Sequence, residues 1–309
     1  MNFKYKCFLQ KLFSKMKNGD KCNYFFQKHI SKSMPISEQK FLEEYNKKCL
    51  QHINIYHQYG NGKELSNCAY YEFGAGWDLL SVLGMSICGI KSADVIDIKP
   101  LMQPEEILWV LSLYKQYASQ FHLENKWFPS ELEVFIPQKD ENFFVDYLRE
   151  YFRITYKAPA DARKTEFESG SFDFVVSNVT MEHIPKEDLR KILAESERIM
   201  KNGAIMSVTI DYCDHWSYFD HSIGVYNYLR YSEKEWKKYN PDLHYQNRLR
   251  HSDYIALMEE SGLELIKAEA APITKAMREQ LALVEVDPFF KKYDFEDLLI
   301  TGGSFVLKK

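Results

Sequence analysis

The stretch Tyr71-Glu72-Phe73-Gly74-Ala75-Gly76-Trp77-Asp78 has the residue types to cradle a ligand. Gly74 and Gly76 let the backbone turn sharply and approach a bound molecule closely, with the small Ala75 between them. A pyrophosphate turn would carry a third glycine three residues on, and that position is Leu79. Glu72 instead suits a cationic ligand end, such as an α-amino group. Asp97 stands where a carboxylate can accept both hydroxyls of a ribose. Asp161-Ala162 and Asn178 follow at the ends of later apolar runs. Ligands of open α/β sheets bind outside the carboxyl ends of the strands, so these residues converge if those runs are parallel strands.

The elements that must position them are legible in outline. Residues 1–63 are expected to form an N-terminal helical extension, with apolar positions Phe8, Leu12, Phe13 and Met16, then Phe41, Leu42, Tyr45 and Leu50, at helical spacing. From residue 64 to 309 strand and helix alternate, the mark of a parallel sheet. Strands are expected at Ala69–Phe73, Asp94–Ile98, Arg153–Tyr156, Phe172–Ser177, Ala204–Ile210, Leu263–Ala268 and Ser304–Leu307. Helices are expected over Trp77–Cys88, from Pro104, near Glu141–Tyr151, from Pro185 to a cap at Asn202-Gly203, and over Asp253–Glu260. Residues 212–250 break this rhythm with ten aromatic residues and three histidines, and read as an insertion or lid over the acceptor. Its aromatics suit stacking on a sugar or planar ring, and Arg230, Arg248 and Arg250 suit a phosphate or carboxylate.

Glu72-Phe-Gly-Ala-Gly, Val95-Ile-Asp-Ile, Asp161-Ala, Ser171-Phe-Asp-Phe-Val-Val-Ser-Asn and Met181-Glu-His-Ile-Pro together resemble the successive motifs of class I S-adenosylmethionine-dependent methyltransferases, in order and spacing, over residues 65–309. The resemblance implies an α/β fold: a Rossmann-like, seven-stranded, mostly parallel sheet with helices on both faces and an antiparallel last strand. It also implies S-adenosyl-L-methionine as cofactor. Glu72, Gly74, Ala75 and Gly76 would surround the methionine moiety, Asp97 the ribose, Asp161 and Ala162 the adenine, and Asn178 would lie beside the cofactor. Two features depart from the family pattern: Trp77 replaces a small residue, and the connection from Leu101 to Tyr151 is long.

Methyl transfer to a hydroxyl requires a proton acceptor, and His183, His215 and His221 are the candidate general bases. Asp211, Asp214, His215, Asp220 and His221 are metal-ligand types without tight ligand spacing, so no metal is assigned. The expected activity is methylation of a small-molecule or glycan-linked acceptor, with a hydroxyl as the favoured nucleophile. The alternatives are a nicotinamide-dependent oxidoreductase on a similar sheet and a non-catalytic S-adenosylmethionine-binding module.

The 309 residues carry a net charge of −4, which argues against a nucleic-acid partner. Residues 1–40 differ locally, with nine Lys against Asp20 and Glu38. That basic arm suits a solvated helix or weak contact with an anionic membrane surface. Six cysteines without C-x-x-C pairing, no signal-like segment and no membrane-length apolar run lead to the expectation of a reduced, cytoplasmic protein.

Overall fold

A computed structural model describes residues 2–30, 34–123 and 141–309, with side chains from residue 143 in the last stretch. Seven strands form one sheet: β1 Ala69–Phe73, β2 Ser92–Ile96, β3 Ile154–Lys157, β4 Phe172–Asn178, β5 Met200–Asp211, β6 Glu264–Ala270 and β7 Gly302–Lys308. Their order is β3-β2-β1-β4-β5-β7-β6. The first five are parallel, and β7 runs antiparallel between β5 and β6. The implied seven-stranded sheet is thus present, with its last strand reversed.

The pleat sends alternate residues to two separate cores. Tyr70, Val95, Phe174, Val176 and Ile205 pack on one face, and Tyr71, Ile96, Val175, Met206 and Val208 on the other. The second face is covered by α8 Lys186–Ile199 and α10 His251–Glu259. The first is covered by α5 Leu80–Ile87, α6 Pro104–Gln116 and α7 Glu141–Phe152, together with α3 Glu38–Tyr45 and α4 Gln51–Tyr59 of the N-terminal extension. A single π-helical turn, Asn46–Leu50, joins α3 to α4. Phe41 of α3 is fully buried against Tyr114, 5.0 Å between ring centroids. The extension also holds α1 Phe3–Ser14 and α2 Gly19–His29.

Several boundaries differ from those expected. The helix after the glycine turn begins at Leu80 rather than Trp77, because Leu79 is left-handed (φ 53°) and the Asp78 side chain accepts from the Leu80 N–H at 3.1 Å. The helix expected to end at Asn202-Gly203 stops at Ile199. Its last carbonyls, those of Arg198 and Ile199, are taken by the N–H groups of Gly170 and Ser171 at 3.1 and 2.7 Å. Gly203 bends the start of β5 instead, with φ +78° and its N–H on the Lys309 carbonyl. The long connection between Leu101 and Tyr151 contains α6 and the start of α7, and its residues 124–140 lie outside the described residues.

Residues 212–250 share a third core with distant segments. Trp216, Tyr226, Tyr228, Leu229 and Trp236 pack with Phe3 and Cys7 of α1 and with Leu281, Phe290, Leu298 and Leu299. The last group comes from α11 Lys275–Ala282, a turn at Pro288–Phe290 and α12 Phe295–Leu299, none of which the sequence reading placed. Within residues 212–250 lies the one-turn helix α9 Glu233–Trp236. Among the described residues, no helix is long and apolar enough to cross a membrane.

Because Phe41 contributes to the same core as Phe174 of the central strand, the extension and the sheet are expected to unfold together. Phe41→Ala should lower the unfolding free energy by about 3–5 kcal/mol in urea titrations followed by circular dichroism. A separate early transition, with the main midpoint unmoved, would show that the helices fold apart from the sheet.

Candidate functional site

A cavity of about 660 Å³ opens at the carboxyl ends of β1, β2 and β4. All of Glu72, Gly74, Ala75, Gly76, Asp97, Asp161, Ala162 and Asn178 line it. The glycine turn is specified by sterics. Gly74 has φ +80°, and a Cβ there would lie 2.3 Å from the Thr180 side chain. Gly76 has φ +72° and open space beside it, so only its backbone conformation demands glycine.

Asp97 closes the turn from β2. Its Oδ2 accepts from the Gly76 N–H at 3.1 Å and its Oδ1 from the Lys99 N–H at 3.0 Å. A carboxylate offers about four lone-pair sites, so acceptor capacity remains for a diol. Burial raises the Asp97 carboxyl above its usual range despite these donors. Glu72 is 3% exposed, and burial likewise raises it. Its hydrogen bonds come from neutral groups: the Tyr70 hydroxyl at 2.7 Å and the Asn178 amide at 3.1 Å. Lys48, the nearby cation, is ion-paired with Glu44 at 2.8 Å. Two buried carboxylates short of positive partners fit a ligand that brings an ammonium group and vicinal hydroxyls.

Asn178 is held on every side. Its Oδ1 accepts from His52 Nε2 at 2.7 Å and from the Thr209 hydroxyl at 3.2 Å. Its Nδ2 donates to Glu72 Oε1 and Ser81 Oγ, both at 3.1 Å. His52 is fully buried, and its Nδ1 meets the Ser207 hydroxyl at 2.8 Å. The sequence reading missed His52, since a lone histidine on an amphipathic helix carries no local signal. Asp161 faces the cavity, but Arg163 grips its carboxylate at 2.7–3.0 Å and bridges to Asp188 at 3.0 Å.

α2 forms one wall of the cavity through Asp20, Asn23 and Gln27. Tyr24 of α2 stacks on Trp77 at 5.2 Å and donates to Glu105 and Glu106, each at 2.6 Å. Asp20 pairs with Lys99 at 3.0 Å. Trp77, the departure from the family pattern, is the platform on which this helix rests.

The far end of the cavity is lined by His183, Thr180 and residues 242–245. The His183 Nδ1–H donates to the Tyr245 carbonyl at 2.7 Å, which leaves Nε2 as a lone pair. The surrounding protein and the neighbouring His215 lower the pKa of this imidazole, which stays open to the cavity. His215 lies behind it, 4.9 Å between ring centroids. Burial opposes charge on His215, but Asp211 (3.5 Å from Nε2) and Glu182 outweigh it and raise its pKa. Burial raises the Glu182 carboxyl to about 8. His221 is exposed and lies outside the cavity lining.

Within residues 212–250, only residues 242–245 reach the cavity. The arginines expected to meet a phosphate are used internally. Arg250, fully buried, donates to the Leu298 and Ile300 carbonyls, and Arg248 to those of Tyr228 and Tyr231. Arg230 donates to the Leu283 carbonyl.

Residues 144–208, from α7 through β5, match the family model of a methyltransferase domain. The sheet is the one implied by the class I resemblance. No curated protein matches the chain in sequence. Solved structures with a similar overall trace include a protein from Pyrococcus horikoshii OT3 (11% identity over 92% of this chain and 97% of that one, TM-score 0.47). An S-adenosylmethionine-dependent methyltransferase from Methanosarcina mazei shows 14% identity over 82% of this chain and 96% of that one, TM-score 0.40. A geranyl diphosphate C-methyltransferase from Streptomyces coelicolor A3(2), solved with S-adenosyl-L-homocysteine, shows 11% identity over 89% and 86%, TM-score 0.42.

His52 gives the protein a pH signature. Burial pushes its pKa down to about 4, whereas an unfolded histidine titrates near 6.5. Between those values the unfolded chain binds a proton that the folded one refuses, so stability is complete above about pH 6.5 and falls toward pH 4. The full loss from this group is about 3 kcal/mol, at about 1.4 kcal/mol per unit. In urea titrations at stepped pH, His52→Gln should show a shallower decline than wild type across that window. Equal slopes would remove His52 as the source.

Proposed function

We propose that the enzyme moves the methyl group of S-adenosylmethionine to an oxygen of a small-molecule or glycan-linked acceptor. One observation carries this reading: the cavity that begins at Gly74, Gly76 and Asp97 continues without interruption to His183 and residues 242–245. When bound, S-adenosylmethionine supplies a methyl group already activated by the sulfonium charge. The protein's contribution is alignment and exclusion of water. Glu72 would hold the α-amino group, Asp97 the ribose hydroxyls, the Gly74–Gly76 turn the methionine backbone, and Asp161-Ala162 the adenine edge. Asn178 sets the position of Glu72 from beneath. His183 would touch the acceptor oxygen through Nε2, with His215 supporting it from behind.

The dinucleotide alternative is disfavoured by two features: Leu79 at the third glycine position, and an antiparallel β7 inserted between β5 and β6. Asp97→Ala should weaken binding of S-adenosylhomocysteine by roughly 1.5–3 kcal/mol, about ten- to a hundredfold, in isothermal titration calorimetry. Wild-type protein that binds neither cofactor nor product would overturn the reading. Incubation of cell extract with methyl-labelled cofactor then identifies the acceptor, and label recovered on protein or nucleic acid would refute the proposed class.

The basic arm extends the proposal to an anionic membrane surface. Tyr5, Phe8, Leu12 and Met16 form an exposed stripe along α1 and the turn after it, and Lys4 and Lys15 flank it. The protein should sediment with phosphatidylglycerol-containing vesicles, and Phe8→Glu/Leu12→Glu should cut the bound fraction at least fivefold. Equal recovery with pure phosphatidylcholine, or none with either, would overturn this part.

A further inference from the structure

Behind the acceptor end of the cavity, Glu182, His183 and His215 each direct a ligand atom to one place, and the three atoms lie within 4.8 Å of one another. Glu182 and His183 come from the turn after β4, and His215 from the short 3-10 turn His215–Tyr218 after β5. Two independent features accompany this convergence. Glu182 Oε2 is buried without any hydrogen-bond partner, in a residue only 2% exposed, and His215 Nε2, in a residue 7% exposed, has only the Asp211 carboxylate at 3.5 Å. Native proteins rarely leave such atoms unpaired unless an ion or water takes them.

The surroundings have the form of an outer coordination shell. The Tyr245 carbonyl fixes His183 with its proton on Nδ1 and its Nε2 free to ligate. Asp211 stands 3.5 Å from His215 Nε2, and its own N–H donates to Glu182 Oε1 at 3.3 Å, holding that carboxylate in place. Asp211 is anchored in turn by the Cys213 N–H at 2.8 Å and by the Tyr218 hydroxyl.

We propose that Glu182, His183 and His215 bind a divalent first-row transition ion, with zinc as the ion best matched to two imidazoles and one carboxylate. Tetrahedral coordination at about 2.1 Å places ligand atoms about 3.4 Å apart, so small side-chain rotations close the site. Three protein ligands leave a fourth position. His183 borders the cavity, so that position is available to a group lodged there. The sequence reading assigned no metal because 31 residues separate His183 from His215 and the ligands join only in the fold. Of the acidic residues and histidines it weighed, Asp220 instead receives the Phe3 N–H at 2.8 Å, and Asp214 receives the Trp216 N–H at 2.9 Å.

With the ion bound, His183 Nε2 is its ligand and no longer the group that touches the acceptor oxygen; polarisation of that oxygen by the ion rests on the methyl-transfer reading, and binding of the ion does not. The test uses full-length protein stripped by a chelator, then titrated with ZnSO4 by calorimetry and with CoCl2 by visible absorption. One ion per chain is expected, with a cobalt spectrum of nitrogen and oxygen ligation. Glu182→Gln and His215→Gln should each weaken Zn2+ at least tenfold while S-adenosylhomocysteine affinity stays within threefold, which shows that the variants fold. Wild-type affinity for Zn2+ no greater than that of His183→Gln/His215→Gln would overturn the site. So would a thiolate charge-transfer band, which would assign the ion to cysteines. Loss of S-adenosylhomocysteine binding in the wild type would refute the methyltransferase reading and leave the metal result standing.

Discussion

Everything at the cofactor end depends on one buried amide. Asn178 spends both N–H bonds on Glu72 and Ser81, and both carbonyl lone pairs on His52 and Thr209. This single group therefore ties β1, β4, β5, α4 and α5 together under the cavity floor. A saturated network is rigid, and its parts cannot be exchanged singly. An aspartate here would face Glu72 with like charge and lose the donor, while a leucine would strand four polar partners, each costing about 1–3 kcal/mol. The polar floor also fits the pleat. Glu72, Asn178, Ser207 and Thr209 lie on the face of the sheet that α4 covers, at the carboxyl ends of adjacent strands.

That geometry makes the N-terminal extension part of the site. α4 supplies His52, the π-turn supplies Lys48, and α2 walls the opening through Asp20, Asn23 and Gln27. α2 buries Phe26 and Asn23, and it meets the glycine turn and α6 through polar and aromatic contacts: the Tyr24–Trp77 stack, the Tyr24 hydroxyl on two glutamates and the Asp20–Lys99 pair. Surface ion pairs of this kind contribute at most about 1 kcal/mol each. α4, by contrast, is locked by core packing and by His52. The extension thus has one half, α3 and α4, in the core beneath the cavity floor, and another, α1 and α2, that joins the third core and the cavity mouth.

Much of the sheet is legible because burial on both faces forces continuous apolar runs. Phe172–Ser177 gives such a run, and every residue of β4 is buried. The glycine turn is legible for a different reason: positive φ leaves a residue-type mark at Gly74 and Gly76. Gly203 bears the same mark, yet it bends a strand rather than capping a helix. What decides between them is the Gly170–Ser171 N–H pair, thirty residues away in sequence. His52, Thr209 and Ser81 have no local pattern at all, since their meaning comes from pairing across four elements. The aromatic run at 212–250 misleads in the opposite direction. Its rings are dense because they build a third core with α1 and the segment near Leu298, not because they line the cavity.

The two ends of the cavity differ in a way that bears on the chemistry. At the cofactor end, polar groups have partners and the remaining acceptor capacity faces the cavity. At the far end, Glu182 Oε2 and His244 Nε2 are buried and unpaired, and His215 Nε2 beside them has only Asp211 at 3.5 Å. Each such atom costs about 1–3 kcal/mol when nothing meets it. The fold holds them there with a deliberate frame: the Tyr245 carbonyl on His183, and the Asp211 N–H on Glu182. A frame that orients groups while leaving their ligating atoms free suits a visitor that arrives after folding. The contrast between a satisfied end and an unsatisfied one therefore divides the cavity into a part whose polar groups already have partners and a part whose buried ligating atoms still lack them.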